Sequence, residues 1–170
     1  TYCDLTLPDN MPQIWQIASV VAVSVDNSPI GAFALADSLK EDSLQAIQRL
    51  HQHNIDVVMM SGDQQSVVDY VAQQVGVKTA QGNCSPRDKA TYIERLRQQG
   101  KVVAMVGDGV NDAPALAMAN VSFAMKSGSD VAEQTASATL MQHSVDQLVD
   151  GLMISRATLK NIKQNLFFAL

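Results

Sequence analysis

Several features that would assign the chain to a specialised class are absent from its sequence or sparse in it. No apolar run approaches the roughly 20 residues that a membrane-spanning helix requires. The two cysteines, Cys3 and Cys84, are far apart and lack partners at metal-ligand spacing, which favours free thiols over a metal site or a disulfide. The 12 basic residues are outnumbered by 17 acidic ones, and the net charge of −5 argues against a nucleic-acid-binding surface.

What the sequence does contain is ordinary globular material. Hydrophobic residues make up 46% of the 170 residues and charged residues 17%, which is enough for one domain with a proper core. Two features at the ends, an initial Thr1 in place of methionine and the apolar segment NLFFAL at 165–170, predict that the chain is a portion of a larger protein.

Strand-like and helix-like segments alternate along the chain. A capping box of Ser38 and Glu41 opens the first predicted helix, Gly76 ends the second, and the third runs from a cap at Ser85 to Gly100. The remaining predicted elements are strands at 18–25, 30–36, 55–60, 101–106, 121–125 and 138–141, a short strand near Val77, and a long helix from Val145. The first two strands predict a hairpin or a strand pair, and the later alternation predicts a parallel sheet with helices on both faces.

Two of the predicted strands lead into loops that carry acidic residues. The run IDVVMM at 55–60 is followed by SGD at 61–63, and KVVAMV at 101–106 is followed by GDGVND at 107–112. Apart from Asp56 and Lys101, both runs are apolar, as expected for strands buried on both faces. Because ligands bind beyond the carboxyl ends of parallel strands, we expect Asp63, Asp108 and Asp112 to meet at one edge of the sheet.

Clustered aspartates require a compensating charge. Two carboxylates about 4 Å apart repel by about 4 kcal/mol at an effective dielectric of 20, whereas a helix N-terminus returns only about 0.3–1 kcal/mol per charge. A cation is therefore expected, and oxygen ligands beside a phosphate favour Mg²⁺. Ser61 offers a hydroxyl, Lys89 a positive charge, and Gly62, Gly107 and Gly109 a backbone that an anion can approach closely. Together these groups predict a phosphoryl-transfer site.

Simpler structural roles are available for some of these residues. SGD at 61–63 is also a common turn or helix cap, and a lone lysine such as Lys89 is usually a solvated surface charge. Pro114 suits the start of a helix, so Asp112 could serve partly as its cap. Asp108 and Asn111 have no comparable structural need, which makes the 107–116 string the strongest functional signal.

Five segments resemble the P-type ATPases, cation pumps whose phosphorylation domain has the haloacid-dehalogenase fold. GDGVNDAPAL (107–116) is similar to the hinge motif of that family, VVMMSGDQ (57–64) to its TGD loop, and SPRDKA (85–90) to the loop with its phosphate-contacting lysine. The segment 23–43 looks like the exit from the nucleotide-binding domain. The segment 155–170 resembles the stalk helix of heavy-metal pumps, most closely copper exporters.

The resemblance implies a fold and a domain organisation. The fold would be a Rossmann-like three-layer α/β fold with a parallel sheet, of haloacid-dehalogenase type, followed by a long C-terminal helix. Residues 1–36 would be a remnant of the nucleotide-binding domain with hinge strands, 37–144 the phosphorylation domain, and 145–170 a stalk helix leading toward a transmembrane segment.

It also implies roles for individual residues. Asp108 would be a Mg²⁺ ligand with Asp112 beside it, and Asn111 would organise the hinge. Ser61 and Gly62 would hold the phosphoryl group, and Lys89 would neutralise it. Of the two remaining carboxylates, Asp63 would support the loop, and Asp37 would lie near the phosphorylation site.

The function implied is that of a phosphorylation-domain portion of an ATP-driven heavy-metal export pump, with Cu⁺ as the transported ion. Mg²⁺ would be the cofactor and ATP the substrate of the intact pump. The partners would be its nucleotide-binding, actuator and transmembrane domains, with this part on the cytoplasmic side of an inner (plasma) membrane.

One motif of the family is missing from the sequence. No DKTGT occurs, so the aspartate that accepts phosphate is absent and the isolated chain is expected to be inactive. The sheet is also expected to lack a middle strand, unless residues 2–7 fill the gap. Ser61 also replaces the usual threonine, which keeps the hydroxyl. Two alternatives stay open: a stand-alone phosphatase of the same superfamily, although its DxD motif is also absent, and a non-catalytic regulatory relic.

Overall fold

The computed structural model describes residues 18–26, 28–35, 39–40, 42–107, 110–126, 130–141 and 144–169. The strands are β1 (Ser19–Val25), β2 (Ser28–Leu35), β3 (Val58–Met60), β4 (Thr79–Gln81), β5 (Ala104–Gly107), β6 (Val121–Met125) and β7 (Ala138–Leu140). The helices are α1 (Asp42–Gln52), α2 (Gln65–Val75), α3 (Pro86–Gln98), α4 (Ala113–Met118), α5 (Asp130–Thr135) and α6 (Val145–Ala169). A 3-10 turn, Val110–Asp112, precedes α4. The predicted alternation of strands and helices is confirmed.

The hairpin expected near the start of the chain is present. Strands β1 and β2 pair antiparallel, and Asp26 in the connecting turn has a φ of 49°. Val21 lies opposite Phe33 in this ladder, and both side chains are exposed. The hairpin therefore presents an apolar pair outside the main core.

The parallel sheet consists of two hydrogen-bonded pieces. One piece contains β3 and β4, and the other contains β5, β6 and β7 in that order. All of these neighbours are parallel. Among the described residues, no ladder joins β3 to β5. Residues 2–7, which could fill the place of a middle strand, lie outside the described residues.

The strands β3 and β5 are shorter and more exposed than predicted. The run 55–60 forms a strand only at its last three residues, and the run predicted at 101–106 forms one at Ala104–Gly107. The expected burial on both faces is wrong for β3, because Val58 is 36% exposed. Among the described residues, each of these two strands pairs with one neighbour. Its other edge has no described strand to cover it, which explains the exposure.

The helices begin and end close to the expected residues. Ser85 caps α3 with Pro86 at its first turn, and Gly76 ends α2 in the left-handed conformation at a φ of 76°. Within α1, Ile47 and Leu50 are buried as predicted, but Leu44 is 40% exposed. The predicted capping box of Ser38 and Glu41 lies outside the described residues.

The apolar core has two clusters that correspond to the two pieces of the sheet. The larger one joins α1, α2 and α6 against β3, and its buried members are Ala46, Ile47, Leu50, Ala72, Val75, Val77 and Val149. The smaller one consists of Leu116 and Ala124, with Met105 of β5 packed against them. The protein therefore buries its apolar side chains on two sides of the break between β3 and β5.

Helix α6 is attached to the domain mainly through its first turns, and further along Arg156 donates to His53 O at 3.4 Å. Val149 is fully buried against α1, and Arg49 of α1 donates to both Asp146 and Asp150. These two carboxylates raise the pKa of the Arg49 guanidinium. Beyond Met153 the described side chains of α6 are exposed. In the parts of the chain that the structure describes, no helix combines the length and apolar character needed to cross a membrane.

Candidate functional site

The loop at 61–63 follows the carboxyl end of β3 and is held by its own side chains. Ser61 Oγ donates to Asp63 Oδ2 at 2.7 Å, and the Asp63 backbone N–H donates back to Ser61 Oγ at 3.3 Å. Gly62 and Asp63 are exposed. Among the described residues, a Cβ at Gly62 would meet only the carbonyl oxygen of Cys84, at 3.6 Å, which is an ordinary contact. Local packing therefore does not require the glycine, and its position is open to an anion.

This loop is hydrogen-bonded to the segment that follows β4. The Ser61 N–H donates to Gln81 O at 3.0 Å, and the Cys84 N–H donates to Ser61 O at 2.9 Å. In the same stretch, the Asn83 N–H donates to Asp63 O at 2.6 Å. The two segments at the carboxyl ends of β3 and β4 thus form one connected unit.

The segment after β4 leads directly into α3, which carries Lys89 in its first turn. Ser85 and Asp88 form a reciprocal capping box, with the Ser85 N–H donating to Asp88 Oδ2 at 2.9 Å and the Asp88 N–H to Ser85 Oγ at 3.2 Å. The Ser85 hydroxyl, which donates to Asp88 Oδ2 at 2.6 Å, and the Ser85 N–H together hold the pKa of the Asp88 carboxyl below its usual value. The cap fixes where α3 begins and therefore where Lys89 lies.

Lys89 connects this unit to the carboxyl end of β5. Its Nζ donates to Asp112 Oδ1 at 2.8 Å, and the two side chains are only 15% and 11% exposed. Because each charge has lost most of its water, each depends on the other for compensation. The interpretation of Lys89 as a solvated surface charge is wrong.

Asp112 is also packed closely against β5. A Cβ on Gly107 would lie 2.7 Å from Asp112 Cβ and 2.9 Å from its Oδ2, so only glycine fits beside this carboxylate. Asp112 occupies the cap position of α4 but makes no capping hydrogen bond with its side chain. The alternative that it serves as a helix cap is not supported, since its carboxylate engages Lys89.

The expected convergence can be followed for part of the site. Asp63 and Asp112 are joined through hydrogen-bonded neighbours and the Lys89 side chain, and Asn111 is exposed in the 3-10 turn beside Asp112. Asp37, Asp108 and Gly109 lie outside the described residues. Within the ranges that the structure does describe, no three acidic, histidine or cysteine side chains form a set that could hold a metal ion.

The donor chemistry of the remaining groups nevertheless suits a hard cation. Asp112 presents carboxylate oxygens in a nearly buried setting, with 8% of its surface exposed. Carboxylate oxygens are the ligands that Mg²⁺ prefers, and Mg²⁺ is commonly held by one or two of them together with phosphate oxygens. The Asp112 carboxylate therefore fits Mg²⁺ as one ligand. The other ligands would come from outside the described residues.

Sequence reasoning missed two residues of this region. Gln65, at the start of α2, binds the backbone of the segment after β4 through its side chain. The thiol of Cys84 is free, as expected, but it is buried beneath the same segment. Burial raises its pKa and the nearby Asp88 adds to the increase, while Lys89 opposes it. Neither residue stood out in the sequence, because a glutamine and a lone cysteine carry no spacing signal.

The fold and the sequence together define the class of protein. Residues 9–120 match the family model described as haloacid dehalogenase-like hydrolase, and the chain belongs to this family. The predicted α/β fold of this type is thereby confirmed.

The curated relatives that the chain resembles are named as cation-transporting ATPases. The chain is 74% identical over 169 residues to a probable cation-transporting ATPase of Haemophilus influenzae, which covers 99% of the chain and 23% of that protein. It is 42% identical to a copper-exporting P-type ATPase of Bacillus subtilis, a match that covers 89% of the chain and 19% of that protein. It is 44% identical to a probable copper-importing P-type ATPase of Enterococcus hirae, over 89% of the chain and 21% of that protein. The chain thus spans about a fifth of the length of the curated relatives it matches.

Solved structures give the same result. A crystal structure of a zinc-transporting PIB-type ATPase matches 89% of the chain and 25% of its own length, with a TM-score of 0.81 and 36% identity. A deoxy-D-mannose-octulosonate 8-phosphate phosphatase of Haemophilus influenzae, at 19% identity and a TM-score of 0.62, covers 79% of each chain and shares the fold alone. The resemblance to heavy-metal P-type ATPases is therefore confirmed.

Proposed function

We propose that the chain is the C-terminal part of the phosphorylation domain of an ATP-driven heavy-metal export pump, with Cu⁺ as the transported ion. The relatives named as copper-transporting P-type ATPases support this assignment. The observation that carries it is the Lys89–Asp112 ion pair, which joins the loops at the carboxyl ends of two strands that belong to different pieces of the sheet. Such a junction gathers a cation, a hydroxyl and carboxylates where a phosphoryl group could be handled.

The described residues suggest how the work at this site is divided. Ser61 and the Gly62 backbone would hold the phosphoryl oxygens, and Asp63 would orient the Ser61 hydroxyl through their 2.7 Å hydrogen bond. Lys89 would neutralise part of the phosphoryl charge. We assign the exposed Asn111 to the hinge and Asp37 to the surroundings of the phosphorylated residue. In this arrangement positioning and charge compensation perform most of the catalysis.

Asp108 and Asp112 would hold Mg²⁺, and Gly107 and Gly109 would let the backbone approach the ligand. When bound, Mg²⁺ supplies positive charge that offsets the charge of the phosphoryl oxygens. In the proposed arrangement Asp112 is shared between the ion and Lys89, because its Oδ1 already accepts from Lys89. ATP would be the substrate of the intact pump.

The remaining parts of the pump would complete the domain. We propose that residues 37–144 form the phosphorylation domain, 1–36 a remnant of the nucleotide-binding domain with hinge strands, and 145–170 a stalk toward the membrane. The docking of Val149 and Asp146 onto α1 supports a stalk that moves with the domain. The nucleotide-binding, actuator and transmembrane domains would be its partners, on the cytoplasmic side of an inner (plasma) membrane.

A phosphorylated aspartate supplied from outside this chain would lie on a strand between β3 and β5. The absence of a ladder between these strands among the described residues supports this placement. The 170-residue chain alone is therefore expected to show no Mg²⁺-dependent ATP hydrolysis. Turnover by the purified chain, above that of a Lys89→Ala variant, would contradict the proposal.

The direct test uses the intact pump and ATP labelled at its terminal phosphate. We expect an acid-stable, hydroxylamine-sensitive phosphoenzyme, as an acyl phosphate requires, whose formation depends on Cu⁺. Lys89→Ala should greatly reduce it, whereas Lys101→Ala, at an exposed lysine beyond α3, should not. An intact protein that forms no phosphoenzyme under any metal would rule out the proposed function.

A further inference from the structure

The side chain of Gln65 pairs with the backbone of the segment that follows β4. Its Oε1 accepts from the Gly82 N–H at 2.6 Å, and its Nε2 lies 3.4 Å from Ala80 O, to which it donates. The carboxamide therefore engages an acceptor and a donor two residues apart, as the peptide group of an adjacent strand would. It pairs with the edge of β4 that faces away from β3, because the Gln81 carbonyl between these two groups accepts from the Ser61 N–H on the β3 side.

The orientation of this carboxamide is determined by its partners. Nε2 also donates to Asp69 Oδ1 at 2.7 Å, one helical turn further along α2. The Asp69 carboxylate and Ala80 O can only accept, and the Gly82 N–H can only donate. A reversed amide would lose all three interactions, so one orientation is fixed.

The backbone itself is in close contact at the same point. A Cβ on Gly82 would lie 2.7 Å from Gln65 Cα and 2.9 Å from Asp63 O. Gly82 is buried, and Gln65 is half-buried. The start of α2 and the segment after β4 therefore meet without space for adjustment between them.

This contact lies between the two elements that the proposed site needs to hold in register. Gln65 follows the Ser61–Asp63 loop by two residues, and Gly82 precedes the Ser85 cap of α3, whose first turn carries Lys89. We propose that Gln65 is a positioning residue, which sets the distance between the Ser61–Asp63 loop and the Lys89 ammonium so that both face one phosphoryl group. The role of those two elements rests on the proposed function, whereas the positioning itself rests on the contacts of Gln65.

The substitution Gln65→Ala removes the carboxamide, and Gln64→Ala is its matched control. Gln64 is the adjacent residue, is exposed, and makes no capping hydrogen bond with its side chain. In the intact pump, we expect Gln65→Ala to raise the concentration of inorganic phosphate needed for half-maximal phosphoenzyme formation by about tenfold. The KM for ATP should change by less than about twofold in both variants, since ordinary binding does not depend on this register.

A charge exchange separates positioning from general loss of stability. Gln65→Glu keeps an acceptor for Gly82 but places a carboxylate beside Asp69, so it should impair the phosphate dependence as Gln65→Ala does. Adding Asp69→Asn supplies a donor to the new carboxylate but none to Ala80 O, so it should recover part of that dependence. A purely structural role would require the melting temperatures of the three variants to follow the same order as their phosphate dependence. We expect the two orders to differ.

Hydrogen–deuterium exchange of the same preparations tests the contact independently of phosphorylation. Gln65→Ala should increase exchange in the segment 82–84, and Gln64→Ala should leave it unchanged. Altered exchange together with an unchanged phosphate dependence would overturn the positioning role, as would equal effects of the two alanine variants. If the unsubstituted pump forms no phosphoenzyme while exchange responds as expected, the proposed function fails and the contact made by Gln65 stands.

Discussion

The two acidic loops of the molecule are held in opposite ways. The loop at 61–63 is largely exposed, and its carboxylate is engaged by the neighbouring hydroxyl of Ser61. The loop that ends at Asp112 buries its carboxylate against Gly107 and compensates it with Lys89. The same residue type is thus a surface group in one loop and a core group in the other.

This difference indicates which residues can be changed without loss of the fold. An exposed loop that is held by local hydrogen bonds can lose a side chain at little cost to stability. A buried carboxylate paired with a cation cannot, because either charge without the other would be desolvated and poorly compensated. Substitutions in the two loops should therefore separate effects on ligand handling from effects on folding.

The largest effect is expected from Lys89→Ala. It leaves the Asp112 carboxylate buried without its ammonium, and we expect the free energy of unfolding to fall by about 3 kcal/mol. Urea denaturation of the chain measures this change, with Lys101→Ala as the exposed control. In a double-mutant cycle, Lys89→Met combined with Asp112→Leu should cost less than the sum of the single changes. Additive costs would show that the ion pair is not coupled.

A second test compares one glycine from each loop. Gly107→Ala places a Cβ 2.7 Å from Asp112 Cβ and should lower the free energy of unfolding by about 1–3 kcal/mol. Gly62→Ala meets no atom closer than 3.6 Å, so the same denaturation experiment should show almost no change. In the intact pump, however, Gly62→Ala should still weaken phosphate binding. Equal losses of stability in the two variants would contradict the contrast between the loops.

The smallest effect is expected at the cap that positions Lys89. Ser85→Ala removes the hydroxyl that accepts from the Asp88 N–H, and the loss of such a cap should cost about 1 kcal/mol at neutral pH. Because Ser85 lowers the folded-state pKa of Asp88, the part of this contribution that comes from the Ser85 hydroxyl donating to the Asp88 carboxylate is present above the unfolded-state value of about 4 and is lost as pH falls through the lower folded-state value. Chemical denaturation at pH 7 and in acid should show a smaller difference between the two proteins at low pH. A difference that grows in acid would contradict the assignment.

Local pattern was sufficient to predict much of the fold. Apolar positions repeat with helical spacing inside each helix, as Ile47 and Leu50 do in α1 and Val68 and Ala72 in α2. Gly76 and Ser85 mark helix ends through backbone geometry that depends on a few neighbours. Strand lengths were less predictable. A strand extends only as far as it has a partner, and among the described residues β3 has one on a single side.

The site was predictable by residue type and much less by contact. Asp112 and Ser61 were identified from their position after strands, and Lys89 from its place near the start of a helix. The ion pair between Lys89 and Asp112, 23 residues apart, depends on how α3 packs beside α4 and could not be derived from spacing. The same holds for Gln65, whose bonds to Ala80 and Gly82 depend on the tertiary placement of α2.

The central claim is that both loops serve one site, where a phosphoryl group and Mg²⁺ bind together. The most direct measurement is the apparent affinity of the intact pump for inorganic phosphate at increasing Mg²⁺ concentrations, monitored by phosphoenzyme formation. If the loops share a site, Mg²⁺ must strengthen phosphate binding and phosphate must strengthen Mg²⁺ binding by the same factor, and Asp112→Asn must reduce this coupling. A phosphate affinity that is independent of Mg²⁺ would contradict the claim.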